Sequence, residues 1–257
     1  MEKACVLADF EKSNQYSTQK NTMKKTITFT LTALLVAPLF AADSSPKDEI
    51  ASAAKKLSEQ ASYSWRTTVV VPEDAQFKPG PTDGKTEKDG FTWVSITIFD
   101  NKMEAFFKLP KGVIKQEDEW KTLEDFDKEE GWARFPAAII RNLKIPGKEV
   151  ADLASGAKEL KKEGEVISAD LTEEGAKNMQ TFRGSDGEGP SVSDAKGSVK
   201  FWVKDGALSK YEFKLKGKIK FGDNEFPNDR TTTVEIKDLN KTKVELPEAV
   251  KKKLSLP

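Results

Sequence analysis

The hydrophobic positions change period several times along this chain, and each change marks an element. Ile50, Ala53, Ala54 and Leu57 recur at helical spacing behind Ser45-Pro46-Lys47-Asp48-Glu49. That leader has a capping serine, a proline at the first helical position and acids in the first turn, so a short amphipathic helix is predicted. From Tyr63 the period drops to two: Tyr63, Trp65, Thr67, Val69 and Val71 alternate with Ser64, Arg66 and Thr68 until Pro72 stops the strand. Phe77 to Gly90 is rich in Pro, Gly and Lys and reads as a loop. Phe91 to Phe99 is apolar on both faces through Trp93, Val94, Ile96 and Ile98, the pattern of a strand covered on both sides, with Lys102 to Leu109 as its hairpin partner across Asp100-Asn101.

An acidic stretch, Gln116 to Glu130, precedes a helix expected around Trp132 to Leu143, with Pro136 restricting where it starts. Gly147 to Ala154 reads as another short helix, Glu165 to Leu171 as a strand, Thr172 to Phe182 as a helix opened by Thr172-Glu173-Glu174, and Arg183 to Lys196 as a loop. The clearest local signal follows. Val199, Phe201 and Val203 alternate with Lys200, Trp202 and Lys204 before Asp205-Gly206, a favoured tight-turn pair. The return strand sets Tyr211, Phe213, Leu215, Gly217, Ile219 and Phe221 on one face and a lysine-rich row on the other, so one face is core or cavity and the other solvent. A strand from Thr231 to Leu239 and a short helix begun by Pro247 close the chain. With long antiparallel strands and no βαβ rhythm, the fold class is α+β, a curved antiparallel sheet wrapping a few short helices.

Met23-Lys24-Lys25, the apolar run Thr26 to Phe40 and the ending Ala41-Ala42 form the charged start, apolar middle and small-residue end of an export signal. The apolar run is shorter than the ~20 residues a membrane-crossing helix needs. The expected organisation is a leader over 1–22 that precedes the true start, a signal peptide over 23–41 and one α+β carrier-like domain over 42–257. The processed protein is then periplasmic or secreted and not transmembrane.

Composition narrows the chemistry. The chain has 42 basic and 42 acidic residues, interleaved, which argues against a nucleic-acid partner. It has no histidine and one cysteine, Cys5, within the expected leader. Histidine-based catalysis, thiol nucleophiles, disulfides and lipidation at the cleavage point are thereby excluded from the exported part. No cofactor and no metal is expected, since the acidic runs lack the spacing of a calcium loop. A carboxylate pair survives this filter as a distant hydrolase reading, against the plainer reading of those acids as a solvated face. The lysine row from Lys210 to Lys220 likewise reads first as a wet face that discourages edge pairing.

The aromatic residues remain. Burying an acyl chain contributes ~0.8 kcal/mol per methylene, so an apolar concavity can hold one with little polar signature. The expected apolar lining is Trp65, Trp93, Phe107, Trp202, Tyr211 and Phe213.

The order of elements resembles a known family. The residues that carry the likeness are Tyr63 to Thr68 after the first helix, the hairpin Gly197 to Glu212, and the ending Thr231 to Pro247. They resemble the LolA/LppX-like periplasmic lipoprotein-carrier superfamily. The resemblance implies an incomplete antiparallel barrel capped by helices, with an interior that takes acyl chains, and no family ligand residue is carried over. The lipid anchor of the LppX-like branch is absent here. Two functions follow as expectations: a non-enzymatic periplasmic carrier of a hydrophobic ligand, a lipid or lipoprotein acyl chain; or a cell-envelope structural or protein-interaction module with a protein partner and no small-molecule ligand.

Overall fold

The serine-led segment forms α1, Pro46–Ser58, whose Ser45 hydroxyl accepts the Asp48 N–H at 3.2 Å and whose Ile50, Ala53, Ala54 and Leu57 are buried. A computed structural model describes residues 44–75, 77–98, 101–182 and 189–254, all in the unit Asp43–Pro257. The expected leader and signal peptide lie outside the described residues, as do Phe99, Asp100 and residues 183–188 of the expected loop.

A first antiparallel meander runs through β1 (Ser62–Val70), β2 (Thr82–Glu87), β3 (Thr92–Ile98), β4 (Asn101–Lys108), β5 (Lys111–Gln116) and β6 (Glu119–Thr122). Helical segments follow: α2 (Leu123–Asp127), a 3-10 turn over Gly131–Arg134, α3 (Phe135–Asn142) and α4 (Pro146–Ser155). The chain then returns to the sheet as β7 (Lys161–Glu163) and β8 (Val166–Asp170), inserts α5 (Glu173–Asn178), and completes a second meander with β9 (Ser191–Lys204), β10 (Ala207–Phe221) and β11 (Asn224–Lys237) before α6 (Glu248–Leu254). Pairing of β1 with β11 fuses the two meanders into one 11-stranded antiparallel sheet, in the order β6-β5-β4-β3-β2-β1-β11-β10-β9-β8-β7. Its edges are β6 and β7, so the curved sheet is open and the α+β reading holds.

Side-chain alternation explains why the sheet curves around helices. Registered across the strands, Ile167, Phe201, Tyr211, Val234, Trp65, Val94, Ala105 and Ile114 fall on one face and form the main core with α1, α3 and α4. Among the described residues the opposite face is covered at the β3 to β6 end, where Val244, Val250 and Leu254 pack on Phe106 and Val113, with Trp93 and Trp120 beside them. That second layer is why β3 is apolar on both faces. The Asp205-Gly206 turn has φ of 52° and 70°, the left-handed pair that its residues favour. Further along the same hairpin, the register of β9 against β10 shifts between Lys216 and Lys218, a bulge that bends the sheet.

Several expectations are corrected. The loop read over Phe77 to Gly90 contains β2, whose Thr82-Asp83-Gly84-Lys85-Thr86-Glu87 has little strand propensity but is hydrogen-bonded on both sides, to β1 and β3. The acidic stretch likewise contains β6, paired to β5, a strand the hydrophobic pattern did not mark. β9 begins at Ser191 inside the expected 183–196 loop, and β11 begins at Asn224, seven positions before Thr231, because both pair with the long β10. α5 stops at Asn178 rather than Phe182, since Gln180 turns its side chain to the sheet.

Candidate functional site

Tertiary packing leaves a cleft of about 390 Å³ between the concave sheet face and the helices. Its sheet wall comprises Trp65 and Thr67 of β1, Thr82 of β2, Tyr211, Ile219 and Phe221 of β10, and Arg230 and Thr232 of β11. Ile139 and Asn142 of α3, the linker residues Leu143 and Lys144, Glu149 of α4 and the end of α5 through Phe182 form the other wall. From β10 the cleft takes Tyr211 near one end and Ile219 and Phe221 near the other, while Phe213 and Leu215 between them are buried in the core.

The floor depends on one close approach. The Trp65 indole lies directly on Gly84, where a Cβ would collide with the ring atoms Cε2, Cζ2 and Cη2. Only glycine lets the ring lie flat on β2. Gln180 closes the helix wall from the other side. Its amide donates to the carbonyls of Ala176 (3.1 Å) and Lys216 (3.2 Å) and accepts from Asn228 Nδ2 at 2.7 Å, which ties α5 to β10 and β11. At Gly217 a Cβ would stand 3.0 Å from the Gln180 Oε1, so this glycine leaves room for the strap. Thr172 anchors the start of α5. Its hydroxyl accepts the Gly175 N–H at 2.9 Å and donates to the Gly156 carbonyl at 3.1 Å, while Gly156 and Gly175 pack backbone to backbone.

Charged groups gather around the Tyr211 end. Tyr211 Oη donates to Glu149 Oε2 at 2.6 Å, and Lys144 Nζ pairs with Asp152 at 2.7 Å. Burial pushes the Glu149 carboxyl above its usual range, opposed by the Tyr211 hydrogen bond and by the charges of Lys144 and Arg230. Burial also raises the Tyr211 hydroxyl, as does the charge of Glu149. The neighbouring Tyr63 is pushed up to about 12 by burial, opposed by the Gly147 backbone. Arg230, across from Leu215 in the β10 register, has its Nη2 3.5 Å from the Met179 carbonyl, at the limit of a hydrogen bond, and its buried Nε has no partner among the described residues.

Of the six aromatic residues expected to line a cavity, Trp65 and Tyr211 line this cleft. Phe107 and Phe213 are buried in the core of the same face; Phe213 lies 6.4 Å from Tyr211 ring to ring, nearly parallel, and supports it from behind. Trp93 and Trp202 lie on the opposite face. Trp93 packs with the α6 layer, and Lys210 Nζ sits 3.7 Å over the Trp202 ring centre. The cause is the period of two: each tryptophan sits one residue from an inward-facing neighbour, Val94 and Phe201 respectively.

The cleft is also more polar than a lining of aromatics implies. Glu149, Lys144, Gln180 and Arg230 were not singled out in the sequence. A signal existed for Arg230 alone: it shares the alternation of Thr232 and Val234 on β11, which puts a cation on the inward face.

The acidic runs carry no site. Glu117, Asp118, Glu119, Glu124 and Glu130 are exposed, Asp125 forms the capping box of α2 with Thr122, and Asp127 pairs with Arg141 at 2.7 Å, so these acids are solvated or engaged in local contacts. The lysine row is wet and largely paired on its own face, Lys216 with Asp229 at 2.7 Å and Lys218 with Glu225 at 3.2 Å. Among the described residues no group of three or more His, Cys, Asp or Glu is placed to hold a metal, and no helix is long and apolar enough to cross a membrane.

No protein-family model and no curated protein sequence matches the chain. Among solved structures it is similar to the lipoprotein LppX of Mycobacterium tuberculosis, at 11% identity and a TM-score of 0.43, over 77% of this chain and 97% of that one. It is similar to LprF of Mycobacterium bovis at 8% identity and a TM-score of 0.46, over 80% and 97% of the two chains. A LolA superfamily protein of Nitrosomonas europaea aligns at 9% identity with a TM-score of 0.33, over 79% and 96%.

Proposed function

We propose that this chain is an exported, non-enzymatic binding protein that carries an elongated hydrophobic ligand, a lipid or an acyl chain, in the cleft under its helices. The observation that carries this reading is the volume and lining of that cleft. Its volume of about 390 Å³ is at the lower end of the ~300–1,000 Å³ typical of small-molecule sites. Its walls hold Trp65, Ile139, Leu143, Met179, Ile219 and Phe221, while Glu149 meets Tyr211 and Arg230 stands across from Leu215. One chain lying along β10 matches that layout.

The outer end of the cleft supports the same reading. Phe182, a wall residue, packs at a tilt on Phe135 with ring centres 5.8 Å apart, and Phe135 in turn meets Trp132 edge-on at 5.6 Å. Trp132 is 83% exposed, so a continuous aromatic path leads from the surface to the cleft wall. An apolar chain entering along it stays in contact with rings rather than water.

Native mass spectrometry of the exported chain after gentle purification tests the reading. The expected result is a one-to-one adduct with the mass of a lipid or fatty acyl compound, lost on organic extraction. A chain without any adduct, whose thermal midpoint is also unmoved by added amphiphiles, refutes it and favours the envelope-module alternative.

A further inference from the structure

The charged end of the cleft is asymmetric. Three charged residues line it: Lys144, Glu149 and Arg230. Two are matched within the protein, Lys144 by Asp152 at 2.7 Å and Glu149 by the Tyr211 hydroxyl at 2.6 Å. Arg230 is not. Among the described residues no carboxylate lies within the 4.0 Å of an ion pair, its best acceptor is the Met179 carbonyl at 3.5 Å, and its Nε is buried with no hydrogen bond. Burial draws the guanidinium below its ordinary basicity, opposed by the more distant charge of Glu149.

A guanidinium in this condition is costly for the folded chain. Its Nε has left water without gaining an acceptor, in a wall shared with Ile219 and Phe221, while the side chain as a whole is partly open to the cleft. Structure alone does not require an arginine there. The Met179 carbonyl ends α5, but a 3.5 Å contact is a weak cap, and α5 is already tied to β10 and β11 through Gln180. An oxyanion supplied from the cleft would meet a planar donor fork whose Nε has no acceptor of its own, and a charge-assisted, bidentate pair is the strongest bond such a fork makes. Glu149 does not take this role, because its carboxylate accepts the Tyr211 hydroxyl and burial disfavours its charge.

We infer that the ligand is a single-chain amphiphile with an anionic head group, a carboxylate or a phosphate, held by Arg230 while its chain lies along β10 toward Phe221. This rests on the carrier reading and adds the head-group class and its polarity in the cleft. Arg230 is thus a specificity residue, and it discriminates charged amphiphiles from neutral acyl esters of the same length.

Isothermal titration calorimetry of the folded chain with five defined probes tests this. Dodecanoate and dodecyl phosphate carry chain and charge, 1-monolauroylglycerol carries the chain and a carbonyl without charge, and acetate and inorganic phosphate carry charge without a chain. Both charged amphiphiles are expected to bind roughly 10-fold or more tightly than monolauroylglycerol, with acetate and phosphate far weaker than either. Arg230→Met is expected to bring the charged and neutral amphiphiles to within about 2-fold of each other, and Arg230→Lys to keep part of the preference. Because the readout is a ratio within one variant, a general loss of stability does not imitate it.

Equal binding of charged and neutral amphiphiles by the unaltered chain overturns the anionic head group and leaves the carrier reading standing. A preference that survives Arg230→Met removes Arg230 as its source and overturns the assignment. Acetate or phosphate binding as tightly as the amphiphiles makes the site one for a free anion and refutes both readings, as does failure of all five probes to bind.

Discussion

Replacing Gly84 by alanine tests the floor of the cleft, because the direction of its effect opposes the usual one. At a strand position of ordinary φ, Gly→Ala stabilises by ~0.4–1 kcal/mol through the unfolded chain. Here the new Cβ would occupy the volume of the Trp65 ring, which is only 4% exposed, so the indole must leave its seat on β2. A tryptophan buries ~200 Å², and losing half of that burial costs about 2.5 kcal/mol at ~25 cal/mol per Å². Subtracting the backbone gain leaves a net destabilisation of about 2 kcal/mol. With a urea slope of ~2 kcal/mol per molar, the unfolding midpoint falls by about 1 M.

Equilibrium urea unfolding followed by circular dichroism measures this shift, and a red-shifted tryptophan emission, absent in a Trp65→Phe background, assigns it to the displaced ring. Trp65→Ala alone is expected to cost ~3–5 kcal/mol. Adding G84A to W65A then costs nothing further and restores a few tenths of a kcal/mol, since the clash is gone. A G84A protein as stable as the parent, or a G84A cost that persists without Trp65, refutes the account of the floor.

Three further outcomes follow from the walls of the cleft. Glu149 has a folded-state pKa above its unfolded value, so the folded chain binds more protons; the stability this confers is complete below the unfolded value of 4.5 and is lost as pH rises through the folded one. Glu149→Gln keeps an acceptor for Tyr211 but removes the charge, so its stability relative to the parent should grow as the pH rises above 4.5, and a pH-independent difference in urea midpoint contradicts the assignment. Tyr211→Phe removes the 2.6 Å hydrogen bond to Glu149 and is expected to cost ~1.5–3 kcal/mol near neutral pH, less in the Glu149→Gln background; equal costs in the two backgrounds in a denaturation double-mutant cycle argue against the coupling. Thr172→Ala deletes both the cap of α5 and its bond to Gly156, which predicts a loss of ~1–2 kcal/mol and faster amide exchange through Met179, and unchanged exchange there would show that α5 is held by Gln180 alone.

Periodicity by itself determined the class of fold and most of its elements. Ser45, the alternation from Tyr63 and the Asp205-Gly206 turn act within a few residues, so helix α1, strand β1 and the β9-β10 hairpin follow from local chemistry. The absence of histidine and the confinement of Cys5 to the expected leader likewise narrowed the chemistry before any coordinates. Tertiary structure decided what depends on distant partners. β2 and β6 carry charged and small residues whose strand conformation comes from neighbours that pair with them, which no local pattern records.

The same distinction governs the site. A period of two tells which residues share a face, but not which tryptophan of a two-sided strand meets the cleft; Trp93 and Trp202 face away because Val94 and Phe201 take the inward positions. Trp65 reaches the floor because Gly84, on the next strand, leaves space for its ring. The joining of Glu149, Tyr211 and Arg230, three residues far apart in the chain, arises only when the fold brings α4, β10 and β11 around one cleft. Their roles follow from burial and from which neighbour satisfies each group, and those are properties of the packed molecule.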